Sequence, residues 1–141
     1  MREILFRGKT KQGEWVYWNE YGELVGIGGK KRTRYAYHST INSISYYHTV
    51  QQLKDSNILI KETVGQFMGL TDKNGKKIFE GDIVKVWWKG NVIATGDIKY
   101  EEKNCRFVLT EDFMYPYCFD DSTPLEVIGN IHDNPELLEE V

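Results

Sequence analysis

The chain has 141 residues, with 18 lysines and arginines against 21 aspartates and glutamates, and its net charge at pH 7 is −3. This length fits one domain or two small ones, and a content of 40% hydrophobic residues excludes an intrinsically disordered chain. The 13 glycines and the 13% of aromatic residues favour pleated strands joined by tight turns.

The first half of the chain alternates short apolar runs with turn residues, which is typical of β structure. Three strands are expected over residues 4–7, 14–18 and 23–27. The segment 35–61 fits either a strand or a short helix, because its apolar residues match both periods. We therefore predict an N-terminal β region over residues 1–64, with a glycine-rich basic loop inside it.

Turn signals are clearer in the second half. Asn74-Gly75 is a dipeptide that tolerates positive φ at both central positions of a turn, so a type I′ hairpin turn is expected there. Gly81 then supplies the unusual φ of a second sharp turn, and the carboxylate of Asp82 can accept backbone N–H groups around it. These turns separate strands that alternate regularly.

Alternation with period 2 assigns the residues of these later strands to two faces. The inward face is expected to carry Val84, Val86, Trp88, Val92, Ala94, Gly96, Ile98, Tyr100, Cys105, Phe107, Leu109, Leu125, Val127 and Ile131. Four short antiparallel strands of this kind predict an SH3-like small barrel or a strongly coiled sheet over residues 65–141. A short helix is expected after them, because Asn134 is a helix-capping residue and Pro135 fits the first helical position. The predicted fold class is mainly β.

Three large apolar residues fall on the opposite face of the same strands, namely Ile83, Trp87 and Ile93. A barrel standing alone would expose them to water, so either the N-terminal strands or another copy of the chain is expected to cover them. We predict that the chain forms a homo-oligomer and that these three residues mediate its self-association.

The segment 30–38 is the strongest candidate for a nucleic-acid contact. Its cations and aromatic residues are Lys30, Lys31, Arg32, Arg34, Tyr35 and Tyr37. Cations bind phosphates and aromatic rings stack on unpaired bases, so the expected ligand is single-stranded nucleic acid. A solvated basic loop is the other interpretation, and the acidic net charge of the chain favours it.

The residue patterns of known enzymes are missing from the sequence. Residues 8–10 (Gly-Lys-Thr) resemble the end of a phosphate-binding loop, but Glu3 stands where that motif requires glycine. Cys105 and Cys118 form no Cys-x-x-Cys pair, and we expect both to be reduced thiols. No enzymatic activity, metal or cofactor is expected. The sequence contains no run of about 20 apolar residues, so no membrane span is predicted. A cytoplasmic location is expected.

Three blocks of sequence carry a family signature: residues 1–7 (MREILFR), 66–84 (QFMGLTDKNGKKIFEGDIV) and 125–138 (LEVIGNIHDNPELL). Together they resemble the YopX-like family of phage and prophage proteins. The resemblance implies a mostly β protein that is encoded by a phage or prophage and acts in the bacterial host cell. It implies no established biochemical activity and no catalytic residues.

The chain is therefore expected to be a phage accessory protein that works as a non-enzymatic binding or assembly module. Its first expected partner is another copy of itself. The alternatives are single-stranded nucleic acid, bound through residues 30–38, and a phage or host protein.

Overall fold

A computed structural model describes residues 3–28, 30–31, 47–110, 117–118 and 124–139. These residues form eleven β-strands and one short α-helix, which confirms the predicted mainly β fold class. The elements are β1 (Leu5–Thr10), β2 (Trp15–Asn19), β3 (Leu24–Ile27), β4 (Lys30–Lys31), α1 (Val50–Asp55), β5 (Leu59–Thr71), β6 (Lys77–Phe79), β7 (Asp82–Trp88), β8 (Asn91–Glu101), β9 (Arg106–Thr110), β10 (Tyr117–Cys118) and β11 (Leu125–Asn130). A 3-10 turn over Pro135–Leu138 lies where the short terminal helix is expected.

Two compact units divide the chain, Met1–Gln66 and Phe67–Val141, and the boundary lies inside the long strand β5. In the first unit the strands follow the order β4-β3-β2-β1-β5, and every pair is antiparallel. The core of this unit consists of Val16, Trp18, Leu24, Val50, Leu53 and Leu59. Helix α1 therefore packs on one face of the first sheet.

Helix α1 begins with a capping box. The Thr49 hydroxyl accepts the backbone N–H of Gln52 (3.2 Å), and the Gln52 side chain accepts the N–H of Thr49 (3.1 Å). Each bond satisfies a backbone donor at the open end of the helix. Val50 and Leu53 are three residues apart and both are buried. This part of the ambiguous segment is therefore helical, and the strand begins only at Leu59.

The second unit contains an antiparallel sheet with the strand order β10-β9-β8-β7-β11. The end of β5 and strand β6 add Met68 and Ile78 to its core. The other buried members all belong to the predicted inward face, namely Val84, Val86, Ala94, Ile98, Leu109 and Leu125. The described strands leave this sheet with two edges, so they form no closed barrel.

Three hairpins close with the same three-residue turn. The side-chain oxygen of the residue before the turn accepts the N–H of the residue after it, and a glycine with positive φ ends the turn. The accepting side chains are Thr10 for the N–H of Glu14 (3.2 Å), Asn19 for the N–H of Glu23 (3.0 Å) and Asp72 for the N–H of Lys76 (2.8 Å). The glycines that end these turns are Gly13, Gly22 and Gly75. A short polar residue three positions before a glycine therefore marks each of these turns.

The predicted type I′ turn at Asn74-Gly75 is wrong. Gly75 has a φ of +83°, but Asn74 is not among the residues with positive φ, which that turn type requires at both positions. The Asp72 carboxylate accepts the N–H groups of Asn74 and Lys76 and so selects the longer turn. In contrast, the Lys89–Gly90 turn has positive φ at both central residues, +49° and +80°.

Gly96 lies in β8 at a point where no side chain fits. A Cβ atom on this residue would overlap the backbone carbonyl oxygen of Thr110, and it would lie 3.1 Å from the Leu109 side chain. Backbone cannot rotate away as a flexible side chain does. The glycine is thus required for the close approach of β8 and β9.

We expect Gly96→Ala to lower the free energy of unfolding by about 1–3 kcal/mol, as overpacking of a core does. Chemical denaturation followed by circular dichroism measures this change. Lys99→Ala in the same strand is the control and should cost less, because Lys99 is exposed. Equal stability of Gly96→Ala and the unmodified protein would contradict the close approach.

Candidate contact surface at a hairpin end

The β7–β8 hairpin exposes three large apolar side chains near its turn. Trp88 is 59% exposed, Ile93 is 47% exposed and Val92 is 41% exposed. We call these three residues the hairpin-end surface. Trp88 pairs with Asn91 and Val92 pairs with Trp87, so the exposed side chains lie on both faces of the hairpin end.

The exposure of Val92 and Ile93 follows from a register shift in the hairpin. Val86 pairs with Ala94, but the next residue, Trp87, pairs with Val92, so Ile93 is an extra residue in β8. Such a β-bulge interrupts the alternation of faces. Trp88 then pairs with Asn91 at the last rung before the turn. The predicted inward position of Val92 is therefore wrong. Trp88 keeps the face of Val84 and Val86, but it lies at the end of β7 and is exposed, so it does not belong to the core.

Polar groups border the surface beside Trp87, which is half-buried. Its indole Nε1 donates to Glu126 Oε1 (3.3 Å), and the Lys73 ammonium lies 4.1 Å from its ring centroid. The Lys89 ammonium lies 5.8 Å from the ring of Trp88. A cation over an aromatic face is attracted by the ring electrons. The apolar surface is thus bordered by two lysines and one glutamate.

Ile83 does not share this surface, because its side chain is fully buried. Its cross-strand partner is Gly129, and a Cβ atom on Gly129 would lie 2.6 Å from Asn134 Oδ1 and 2.9 Å from Leu137 Cδ1. The 3-10 turn at the end of the chain therefore folds over the sheet beside Ile83. The expectation that Ile83 is exposed is wrong, whereas Ile93 is exposed.

Asp72 positions the lysine of this border. Its Oδ1 accepts the N–H groups of Asn74 (2.9 Å) and Lys76 (2.8 Å), and its Oδ2 accepts the N–H of Val127 in β11 (3.0 Å). The N–H of Lys73 donates to the carbonyl of Leu125 (2.8 Å). The turn that carries Lys73 is therefore tied to strand β11.

The Asp72 carboxyl is 6% exposed. Burial raises its pKa, but the N–H groups of Val127, Lys76 and Asn74, with the charge of Lys76, outweigh this effect and hold the pKa below the ordinary value of 3.8. The carboxylate therefore stabilises the folded state in its charged form.

Most of the basic segment 30–38 lies outside the described residues. Lys30 and Lys31 form β4, where Lys31 pairs with Gly26. Gly26 pairs with Tyr17, and Tyr17 pairs with Arg7, so these positions form one row across the first sheet. The Arg7 guanidinium lies 4.6 Å from the ring centroid of Trp15.

The described residues contain no group of three or more histidine, cysteine, aspartate or glutamate side chains that could hold a metal ion. In the same part of the chain, no helix is both long enough and apolar enough to span a membrane. Cys105 is exposed and forms no disulfide.

Several residues of the sequence blocks 66–84 and 125–138 have local structural roles. Gly69 has a φ of +92° where the register of β5 and β6 shifts, so glycine suits this bulge. After β11, Asn130 Oδ1 accepts the N–H groups of His132 (3.0 Å) and Asp133 (2.9 Å). Asn134 Oδ1 accepts the N–H of Asn130 (3.3 Å). The His-Asp pair therefore belongs to a tight turn.

Sequence reasoning did not assign Trp88, Val92, Lys73 and Lys89 to a contact surface. One signal was present, because Trp88 directly precedes the Lys89-Gly90 turn and Val92 follows one residue after it. When a hairpin with a two-residue turn extends beyond the core, the residues beside its turn are exposed.

We expect the stability of the protein to fall at acid pH because of Asp72. Its folded pKa lies below 3.8, so its contribution is complete above that value and is lost as the pH falls through the folded pKa. Asp72→Asn should lower the free energy of unfolding by about 1–3 kcal/mol at pH 7 and flatten the acid dependence. Thermal unfolding between neutral and acid pH measures both effects. Asp55→Asn, in an exposed position, is the control, and identical pH profiles for all three proteins would refute this role of Asp72.

Comparisons with known proteins agree with this fold. A search of curated proteins finds no match. Among solved structures, the chain is similar to the crystal structure of protein EF1440 from Enterococcus faecalis, with 27% sequence identity and a TM-score of 0.52. The likeness covers 98% of this chain and 99% of that chain. The family model described as YopX protein matches residues 5–139, and the chain therefore belongs to the YopX family.

Proposed function

We propose that this YopX-family chain is a non-enzymatic binding and assembly module that self-associates through the hairpin-end surface. The observation that carries the proposal is the joint exposure of Trp88, Val92 and Ile93 at one hairpin end. In the same proposal, the chain is an accessory protein of a phage or prophage and acts in the cytoplasm of the bacterial host.

The exposed side chains provide the driving force for such a contact. Tryptophan is the side chain most enriched among residues that dominate binding energy, because it buries a large apolar area with few rotatable bonds. Covering the exposed part of Trp88 removes on the order of 100 Å² from water, which contributes about 2–3 kcal/mol. Val92 and Ile93 are exposed at the same hairpin end.

The charges around this surface favour a second copy as the occupant. Lys89 lies beside Trp88 and Lys73 lies beside the neighbouring Trp87, while the whole chain has a net charge of −3. An acidic molecule approaches a local positive patch with a favourable electrostatic energy. The proposed contact therefore differs from the predicted set of Ile83, Trp87 and Ile93: it keeps Ile93, adds Trp88 and Val92, and gives Trp87 a supporting position.

We expect the protein to be larger than a monomer at tens of micromolar and Trp88→Glu to be monomeric, because the substitution places a charge in the proposed contact. Light scattering coupled to size-exclusion chromatography measures the mass. Tyr21→Glu is the matched control, since Tyr21 is 78% exposed in a turn of the first unit. This control should associate as the unmodified protein does. A monomeric unmodified protein, or unchanged association of Trp88→Glu, would refute the proposal.

Single-stranded nucleic-acid binding through residues 30–38 is the second candidate function. It is supported by the row of paired positions Lys31, Gly26, Tyr17 and Arg7, which aligns the basic strand with an aromatic residue of the first sheet. The expected binding mode combines phosphate contacts by the lysines with stacking of bases on tyrosine.

For this candidate, we expect short single-stranded oligonucleotides to bind with an affinity that falls as salt rises. The double variant Lys31→Glu/Arg32→Glu should abolish binding, because it replaces two cations by anions. Lys103→Glu, in the second unit, is the control and should bind normally. Fluorescence anisotropy measures the affinity, and no binding by the unmodified protein at about 50 mM salt would end this candidacy.

A further inference from the structure

We infer that Asn74 is a site of covalent self-modification, at which the backbone nitrogen of Gly75 attacks the side-chain carboxamide and an isoaspartate forms. Asn74-Gly75 is the only asparagine–glycine pair in the sequence. The inference does not depend on self-association, because all the reacting atoms belong to one chain.

The reaction needs only water and proceeds in two steps. In the first step, the Gly75 nitrogen loses its proton and forms a bond to Cγ of Asn74, while the Cγ–Nδ2 bond breaks and ammonia leaves. The product is a five-membered succinimide ring. In the second step, water opens the ring at one of its two carbonyl groups and leaves an aspartate or an isoaspartate. No oxidant or reductant takes part.

Both reacting groups are accessible. Asn74 and Gly75 are exposed, and the Asn74 carboxamide makes no hydrogen bond with another described residue. A Cβ atom on Gly75 would meet no atom within 4 Å, so nothing crowds the attacking nitrogen. Asn57 is exposed as well, but Ile58 follows it, and a side chain branched at Cβ shields the nitrogen.

The hydrogen bonds of the turn control the rate of this reaction. The Gly75 N–H donates to the backbone carbonyl of Asp72 (3.0 Å). The N–H groups of Asn74 and Lys76 donate to Asp72 Oδ1 (2.9 and 2.8 Å). The Gly75 nitrogen must leave its carbonyl partner before it can attack Cγ. The reaction therefore proceeds from turns that have opened locally, and the Asp72 carboxylate slows it.

The product changes the contacts of the turn with β11. In an isoaspartate the main chain runs through Cβ and Cγ and is one atom longer, which displaces the Lys76 N–H from Asp72. The same turn covers the outer edge of β11, where Asp72 Oδ2 accepts the N–H of Val127 (3.0 Å) and the Lys73 N–H donates to the carbonyl of Leu125 (2.8 Å). The modification therefore releases two backbone groups of an edge strand, which can then pair with another strand.

Incubation of the folded protein at mildly basic pH tests the reaction, because base removes the proton from the Gly75 nitrogen. Peptide mapping by mass spectrometry follows each asparagine. Asn74 should convert first, mainly to isoaspartate, while Asn57 stays intact as the internal control. Asp72→Ala should convert Asn74 several-fold faster, because it lacks the carboxylate that holds the turn closed.

Hydrogen exchange of the separated forms tests the structural consequence. Ion-exchange chromatography isolates the modified protein, which carries one more negative charge. Its Val127 amide should lose the protection that it has in the unmodified protein, whereas the Val16 amide in the first unit should keep it. Asn74→Asp is the matched control, because it has the same added charge with a main chain of normal length, and its Val127 amide should stay protected.

Two results would overturn the inference. The first is an Asn74 that converts no faster than Asn57 in the folded protein, because the reaction would then not depend on the glycine. The second is an isoaspartate form whose Val127 amide exchanges as slowly as that of the unmodified protein, because the turn would then still cover β11.

Discussion

The Asp72 carboxylate connects the turn chemistry of the second unit to its candidate surface. One of its oxygens holds the turn after β5, and the other accepts the N–H of Val127 at the outer side of β11. This hydrogen bond satisfies a backbone N–H of β11, which is an edge strand of the sheet. An unsatisfied N–H there could pair with a strand of another chain. It also fixes the turn from which Lys73 reaches the ring of Trp87. Fold stability and the geometry of the surface therefore depend on one buried charge.

Local sequence patterns predict much of this fold, but a turn type can depend on a residue outside the pattern. The alternation in β7 and β8 correctly identifies Val84 and Val86 as core residues. The Asn74-Gly75 dipeptide predicts the wrong turn type, because a dipeptide rule ignores the carboxylate of Asp72 two residues earlier. A longer pattern, with a short polar residue three positions before glycine, describes all three such hairpins.

The candidate surface is harder to predict because it depends on register. Val92 and Ile93 are both apolar, so the sequence does not reveal that Ile93 is the extra residue and that Val92 pairs with Trp87. Ile83 is buried because a turn about 50 residues later folds beside it, next to Gly129, and no local pattern contains that information. Gly69, Asn130 and Asn134, which belong to the three sequence blocks, have local structural roles.

The central claim is that another copy of the chain covers Trp88 in solution. Fluorine NMR of protein labelled with 5-fluorotryptophan tests it most directly, because each of the four tryptophans gives its own signal. Single tryptophan-to-phenylalanine variants assign these signals. The account predicts that the Trp88 signal shifts or broadens as the protein is concentrated, while the signal of Trp18, which is buried in the first unit, stays constant. A Trp88 signal that does not change from dilute to concentrated protein would contradict the account.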